Sequence, residues 1–442
     1  MNSGANIGTS SGTNIQNRIF RRVAIIGGQR TPFTKSMTHY SRTSNKALLT
    51  ESLNRLVDKF GLANKTLGDV ALGAVMKNAE DWNLARECVL GSGLHADTPA
   101  YDVQRACGTG LETISHIALK IAAGQIEAGI GGGADTNSDI QGVLSHDFTW
   151  KLLEAQKSKT AFAKIKNLFS INFKDLKPKF PAVIEPRTGL SMGQHAEKMV
   201  QEWRISQRDQ DELALMSHTN GASAYNEGFY QDLVFEFKGL KTDAILRPDT
   251  TIEKLSKLKP AFDFTGKGTL TAGNSTALTD GASVVLLASE DYAKKHNLPI
   301  LAYFADFQSA AVNFVAGAGL LMAPTIAVNQ LLLRNRLELQ DFDYYEIHEA
   351  FAGQVLCTLA AWESAEYCSK ILGRSEPLGT IDRTKMNIKG GSLALGHPFA
   401  ATGGRLVGSL AKMLSKTKGQ GGRGLISICT AGGMGVAAIL ES

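Results

Sequence analysis

Gln104-Arg105-Ala106-Cys107-Gly108-Thr109-Gly110 opens the stretch whose reading decides the fold. A helical segment follows from about Gly110 to Ala123, Gly124 stops it, and Ile126 to Ile130 then reads as a strand entering a Gly131-Gly132-Gly133 turn. The plan recurs near the C-terminus. There Gly396-His397-Pro398 precedes a helical segment from about Ala401 to Leu414, a Gly/Lys loop follows, and Gly424 to Ile428 reads as a strand ending at Cys429. Turn, helix, strand and glycine turn thus occur twice, each time with a reactive residue at the helix entrance. Upstream, Val23-Ala24-Ile25-Ile26 reads as a buried strand ending in a Gly27-Gly28 turn. Leu48, Leu49, Leu53, Leu56 and Val57 form one apolar stripe on a helix from about Asn45 to Phe60.

Four of the reactive residues stand in motifs of their own: Cys107, His348 in His348-Glu349-Ala350-Phe351, His397, and Cys429 in Cys429-Thr430-Ala431-Gly432-Gly433. Cysteine and histidine are the side chains whose pKa values are tuned near neutrality for nucleophilic and proton-transfer work. Cys107, at a helix start, is expected to gain thiolate character from unpaired N–H groups and the helix dipole, and more from a nearby histidine. Cys88, Cys357 and Cys368 lack such surroundings and read as small buried hydrophobes.

The bulk numbers bound the rest. A chain of 442 residues implies two or more packed units. Hydrophobic content of 43% with 20% charged residues is that of a globular protein, and no apolar run reaches the roughly 18 residues of a membrane span. A net charge of +5 suits anionic ligands and gives no support to nucleic-acid binding. Five cysteines without short paired spacing argue against a disulfide framework or a zinc site, and for a reducing compartment. Residues 1–17 are Gly/Ser/Thr/Asn-rich, carry no charge and lack a secretory h-region. They read as a disordered tail, with Arg18, Arg21 and Arg22 leaving only a faint organelle-targeting signal.

The four motifs, in this order, resemble the thiolase family, and the resemblance runs from about Arg22 to the C-terminus. It implies an α/β fold of two similar halves in a layered α-β-α-β-α arrangement. The expected divisions are a tail over 1–21, an N-terminal half over 22–295 with a loop domain at about 142–264, and a C-terminal half over 296–442. It also implies an acyl-CoA C-acetyltransferase: reversible CoA-dependent cleavage of a 3-ketoacyl-CoA to acetyl-CoA and a shortened acyl-CoA, or condensation of two acetyl-CoA. By resemblance, Cys107 is the acylated nucleophile, His397 activates it, and Cys429 is the acid/base. His348 stands where many thiolases carry asparagine, a variant similar to the β subunits of fatty-acid oxidation complexes. It would serve the oxyanion hole for the thioester oxygen, with Glu349 orienting its neighbours.

The backbone amides of Cys107 and Ala431 would form a second oxyanion hole; alanine replaces the usual glycine there and is tolerable if its φ stays negative. Thr276, in Asn274-Ser275-Thr276, falls near the pantetheine and Met192 on the pocket lid, while Arg30 is mainly structural. No cofactor or metal is implied, since coenzyme A is a substrate. The expected partners are acyl-CoA and CoA, a second copy in a homodimer or homotetramer, and a fatty-acid oxidation α subunit. The expected location is cytoplasmic, with the mitochondrial matrix as alternative. A 3-ketoacyl synthase would lack the second cysteine, and a non-catalytic lipid-binding relative would not need all four reactive positions filled.

The loop domain holds a basic run: Lys151, Lys157, Lys159, Lys164, Lys166, Lys174, Lys177 and Lys179 against Glu154 and Asp175. Phe162, Leu168, Phe169, Ile171 and Phe173 interleave with it. Steering of CoA phosphates, contact with a membrane or partner surface, and a plain solvated face are the three readings. Further on, Ser206-Gln207-Arg208-Asp209 reads as a capping box opening a helix toward Tyr225.

Overall fold

The computed structural model describes residues 20–417 and 421–442. Its strands are β1 (Val23–Arg30), β2 (Thr34–Lys35), β3 (Asp69–Leu72), β4 (Ala100–Asp102), β5 (Ala128–Asp135), β6 (Thr279–Ser289), β7 (Ala302–Ala311), β8 (Tyr344–Ile347), β9 (Arg423–Thr430) and β10 (Met434–Glu441). They run in the order β4-β3-β5-β6-β1-β7-β10-β9-β8, with β2 on β6. Only two residue pairs, Ala24↔Tyr303 and Ile25↔Ala302, join β1 to β7. That narrow seam divides the strands into two half-sheets.

Helices Thr109–Ala122 and Thr402–Ser415 fill the space between the half-sheets. One core cluster unites Leu111, Ile114 and Ile117 of the first helix with Leu406, Val407 and Leu410 of the second, together with Val285 and Leu287 of β6 and Ile426 and Ile428 of β9. Helix Asn45–Phe60 covers the outer face of the first half-sheet with the predicted stripe. Each leucine so buried contributes about 1.5–3 kcal/mol. Helices Ala323–Asn335 and Ala352–Glu363 cover the outer face of the second. The result is the five-layered mixed α/β arrangement.

Two glycine pairs or runs read as turns are strand instead. β1 continues through Gly27 and Gly28 to Arg30 with a register shift between Ile25 and Gly27. β5 runs through Gly131, Gly132 and Gly133 to Asp135. The reason is close approach. A Cβ on Gly131 would lie 2.6 Å from Ile114 Cα, and one on Gly133 2.5 Å from the Ala400 carbonyl oxygen. The central layer lies too near the strand to admit side chains there.

Between β5 and β6 the chain forms helices His146–Lys157, Ala161–Phe169, Met192–Glu202 and Gln207–Asn226 and the short Ile252–Leu255. Ser206 caps the fourth, accepting from the Asp209 amide at 3.1 Å. The first two form a hairpin, and Phe162 and Phe169 on it and Phe173 just after it are exposed beside the lysines. Arg30 is buried and makes a bidentate pair with Asp243, 2.7 Å at each nitrogen, tying β1 to this segment. Residues 1–19 of the expected tail lie outside the described residues. Arg21, assigned to that tail, is held by its amide to the Ala122 carbonyl and by its side chain to Glu127. No helix among the described residues is long and apolar enough to cross a membrane.

The two central helices touch backbone to backbone. A Cβ on Gly403 would sit 2.1 Å from the Leu111 nitrogen, and one on Gly110 2.4 Å from the Ala400 oxygen. Gly408, on the same helix as Gly403, has nothing closer than 3.8 Å. Gly403→Ala is therefore expected to destabilise by about 1–3 kcal/mol through overpacking, while Gly408→Ala leaves stability unchanged or raised through helix propensity. Urea unfolding midpoints check the pair; equal shifts would contradict the close-contact account.

Candidate active site

Cys107 stands on a strained turn between β4 and the first central helix. Ala106, just before it, has φ +43°, a conformation costly for a residue with a Cβ. Thr109 pins the turn: its Oγ1 accepts from the Arg105 amide at 2.8 Å and donates to the Ala106 carbonyl at 2.7 Å. The Cys107 thiol is partly exposed to a recess, where its own amide and that of Ala431 point at Sγ. Ala431 keeps a negative φ, and the positive values fall on Gly432 and Gly433.

His397 does not sit directly at its helix entrance. A short 3-10 turn, Phe399–Ala401, separates it from helix Thr402–Ser415. Its amide donates to Thr279 Oγ1 at 2.9 Å, and its Nδ1 lies 2.5 Å from Thr402 Oγ1. The second imidazole, His348, lies against it with ring centroids 4.0 Å apart and planes tilted by 46°. His348 follows the last residue of β8, and Cys429 is the penultimate residue of β9. These strands are parallel neighbours, so both side chains emerge at carboxyl ends, where open α/β sheets bind ligands. Cys429 is buried, with the Ala350 amide aimed at its sulfur.

Cys107, His397, Thr276, Met192 and Ala431 line one recess with Ala350 and Phe351. His348 and Cys429 lie buried behind its wall. Thr276 is fixed by its amide and hydroxyl, both donating to the Ala350 carbonyl. The seven site residues singled out from the sequence therefore meet at one place, while Cys88, Cys357 and Cys368 are buried in the core, Cys357 in the same cluster as Cys429.

The chain matches the thiolase N-terminal domain over residues 23–291 and the thiolase C-terminal domain over residues 298–442. It belongs to the thiolase family. Among curated relatives, a 3-ketoacyl-CoA thiolase of Vibrio cholerae serotype O1 is 40% identical over 433 residues, covering 97% of this chain and 98% of the relative. One of Yersinia pestis (strain Pestoides F) is 38% identical over 426 residues, 95% and 97% of the two chains. The fold aligns with a crystal structure of the Bacillus anthracis acetyl-CoA acetyltransferase at TM-score 0.80 and 28% identity, covering 96% of this chain and 100% of that one. It aligns equally with human mitochondrial 3-ketoacyl-CoA thiolase in complex with CoA: TM-score 0.80, 26% identity, 96% and 98% coverage.

In this thiolase the electrostatics differ from the helix-entrance expectation. Burial pushes the Cys107 thiol up, the Ala431 amide opposes this only in part, and the Asp135 carboxylate adds to it. Burial likewise raises Cys429 well above its ordinary value, and the neighbouring Cys107 adds to the effect. Burial lowers His397 to about 3, with Arg405 contributing, and holds His348 neutral too. Burial thus favours the thiols and the neutral imidazoles over their charged forms. The helix dipole acts locally, but low polarity around the recess dominates it.

Two residues escaped the sequence reading. Buried Asp135 accepts from the amides of Val75, Met76 and Ala400, joining the recess wall to the turn after His397. Glu185 accepts from the Gly432 amide at 2.7 Å, latching the loop before helix Met192–Glu202 onto the glycine turn after Cys429. Their signal is absent from local sequence because each partner is remote. Glu349, for which the resemblance implied an orienting role, accepts from Ser217, Asn387 and the Leu393 amide.

A neutral resting pair makes a pH prediction. Alkylation of Cys107 by iodoacetamide, followed by peptide mass mapping, should rise steadily from about pH 6 to about pH 9 as the thiol ionises. A rate already level at about pH 6 would mean a preformed thiolate–imidazolium pair.

Proposed function

We propose that the recess carries out reversible CoA-dependent cleavage of 3-ketoacyl-CoA through an acyl-Cys107 intermediate. The observation that supports it most directly is two thiols at one recess, each with backbone amides aimed at its sulfur, and His397 lining the same recess. Cys107 Sγ attacks the keto carbon as its proton passes to His397 Nε2. The oxyanion forms against the Cys107 and Ala431 amides. Its collapse breaks the bond between C2 and C3, the electron pair passes to C2, and Cys429 protonates C2. Acetyl-CoA leaves. CoA then gives its thiol proton to the Cys429 thiolate and attacks the acyl-Cys107 carbonyl. Cys107 departs and recovers its proton from His397, so both thiols and the imidazole are restored. His348 would donate to the thioester oxygen while charge rests on it. Condensation of two acetyl-CoA is the same path reversed.

A second pocket shares Thr276 with the recess and is lined also by Lys35, Arg247 and Ser275. It is the proposed seat of CoA, with the two cations toward its phosphates. None of the eight lysines from Lys151 to Lys179 lines either pocket, so direct phosphate contact by them loses ground to an outward-facing role. A 3-ketoacyl synthase reading has no use for Cys429.

Acetyl-CoA should add one acetyl group to the wild-type protein, mapping to Cys107 by peptide mass. Cys107→Ser should lose the label and lower thiolysis on the order of 10³-fold or more. Label on any other residue would overturn the assignment.

A further inference from the structure

Behind His348 the buried polar chain continues into two side chains that the reaction sequence above does not use. Ser392 Oγ lies 2.7 Å from His348 Nδ1 and accepts from Arg405 Nη2 at 2.8 Å. Ser392 and His348 have no exposed surface and Arg405 is 2% exposed. Arg405 is a donor only, so the serine proton must go elsewhere. Among the described residues, the one acceptor within reach of Ser392 Oγ is His348 Nδ1. A buried hydroxyl proton without an acceptor is costly, so the satisfied arrangement has Ser392 donating to Nδ1.

That direction fixes the imidazole. A neutral ring accepting at Nδ1 carries its proton on Nε2. Nε2 has no protein partner. The ring packs at a tilt against His397, which lines the recess. The serine is itself held from both sides. The Gly391 amide donates to Ser217 Oγ at 3.0 Å, and the Leu393 amide to Glu349 Oε2 at 3.1 Å. Glu346 on β8 and Glu349 offset the charge of Arg405, and the positive charge of Arg405 in turn disfavours a second cation on His348.

We infer that Ser392 and Arg405 are positioning residues that lock His348 in the Nε2–H tautomer, so that a donor and not a lone pair is offered to the thioester oxygen of the substrate. This rests on the thiolase reaction proposed above. Without the lock, Nδ1 can keep the proton by donating to solvent or to a freed hydroxyl, and Nε2 then repels an enolate oxygen.

Two half-reactions separate the roles. Acetylation of Cys107 by acetyl-CoA uses His397 and the Cys107 and Ala431 amides, and not His348. Exchange of the acetyl-CoA methyl protons with deuterium needs the enolate and therefore His348. Ser392→Ala should acetylate Cys107 within about twofold of wild type and lose about 10-fold to about 100-fold in exchange, with KM unchanged. In a His348→Ala background, Ser392→Ala should change exchange by less than about twofold, because the serine acts through the ring. Exchange at the wild-type rate in Ser392→Ala, or losses that multiply in the double variant, would overturn the inference. So would loss of acetylation together with exchange, which would make Ser392 part of the scaffold. If wild type itself neither acetylates nor exchanges, the thiolase reaction fails first.

Discussion

The backbone contact between the two central helices is the constraint on which the site depends. Cys107 and His397 lie almost three hundred residues apart in sequence, and each sits on a short turn just ahead of one of these helices. The turns can meet only if the helices approach more closely than side chains permit. Gly110 and Gly403 supply that approach on the helices, Gly404 lets the second helix close on Ser283 of β6, and Gly131 and Gly133 supply the approach on β5. A methyl group at these positions would push one turn away from the other, and a shift of about 1 Å between reacting groups is enough to cost about 10²-fold in rate.

Close packing then sets the chemistry. A central layer pressed between two half-sheets leaves little room for water, so every ionisable group in it pays for charge. Both thiols rise, both imidazoles fall, and Asp135 is pushed up to about 7 by burial despite three amide donors. Raised thiols and lowered imidazoles favour proton transfer that accompanies bond formation. In the proposed reaction the donors that meet developing charge are fixed ones: the amides of Cys107, Ala431 and Ala350, held by the turn, by Glu185 and by the pairing of residues 274–276 with 350–352.

The sequence made some of this legible for clear reasons. Helix Asn45–Phe60 has its predicted ends because its apolar stripe, the Ser44 cap and the left-handed Gly61 all act within a few residues. The glycine-flanked Cys and His residues stood out for the same reason. Glycine itself was ambiguous. Gly432 has φ +77° and makes a turn, whereas Gly131 to Gly133 have no positive φ and serve close approach. Only the partner helix, distant in sequence, distinguishes the two uses. The thiolate expected at Cys107 came from a local feature, and burial by remote segments reversed it. Ser392 and Arg405 passed unnoticed because they flank the His397 motif as ordinary residues, and their contact with His348 exists only in three dimensions.

The division of labour between the two thiols is the central claim, and Cys429→Ala tests it most directly. Incubated with acetyl-CoA in deuterium oxide, the variant is expected to form acetyl-Cys107, seen by intact mass, while its acetyl-CoA methyl protons stay unexchanged by NMR. Methyl exchange at the wild-type rate in the same sample would contradict the account, because another group would then be moving the proton at C2.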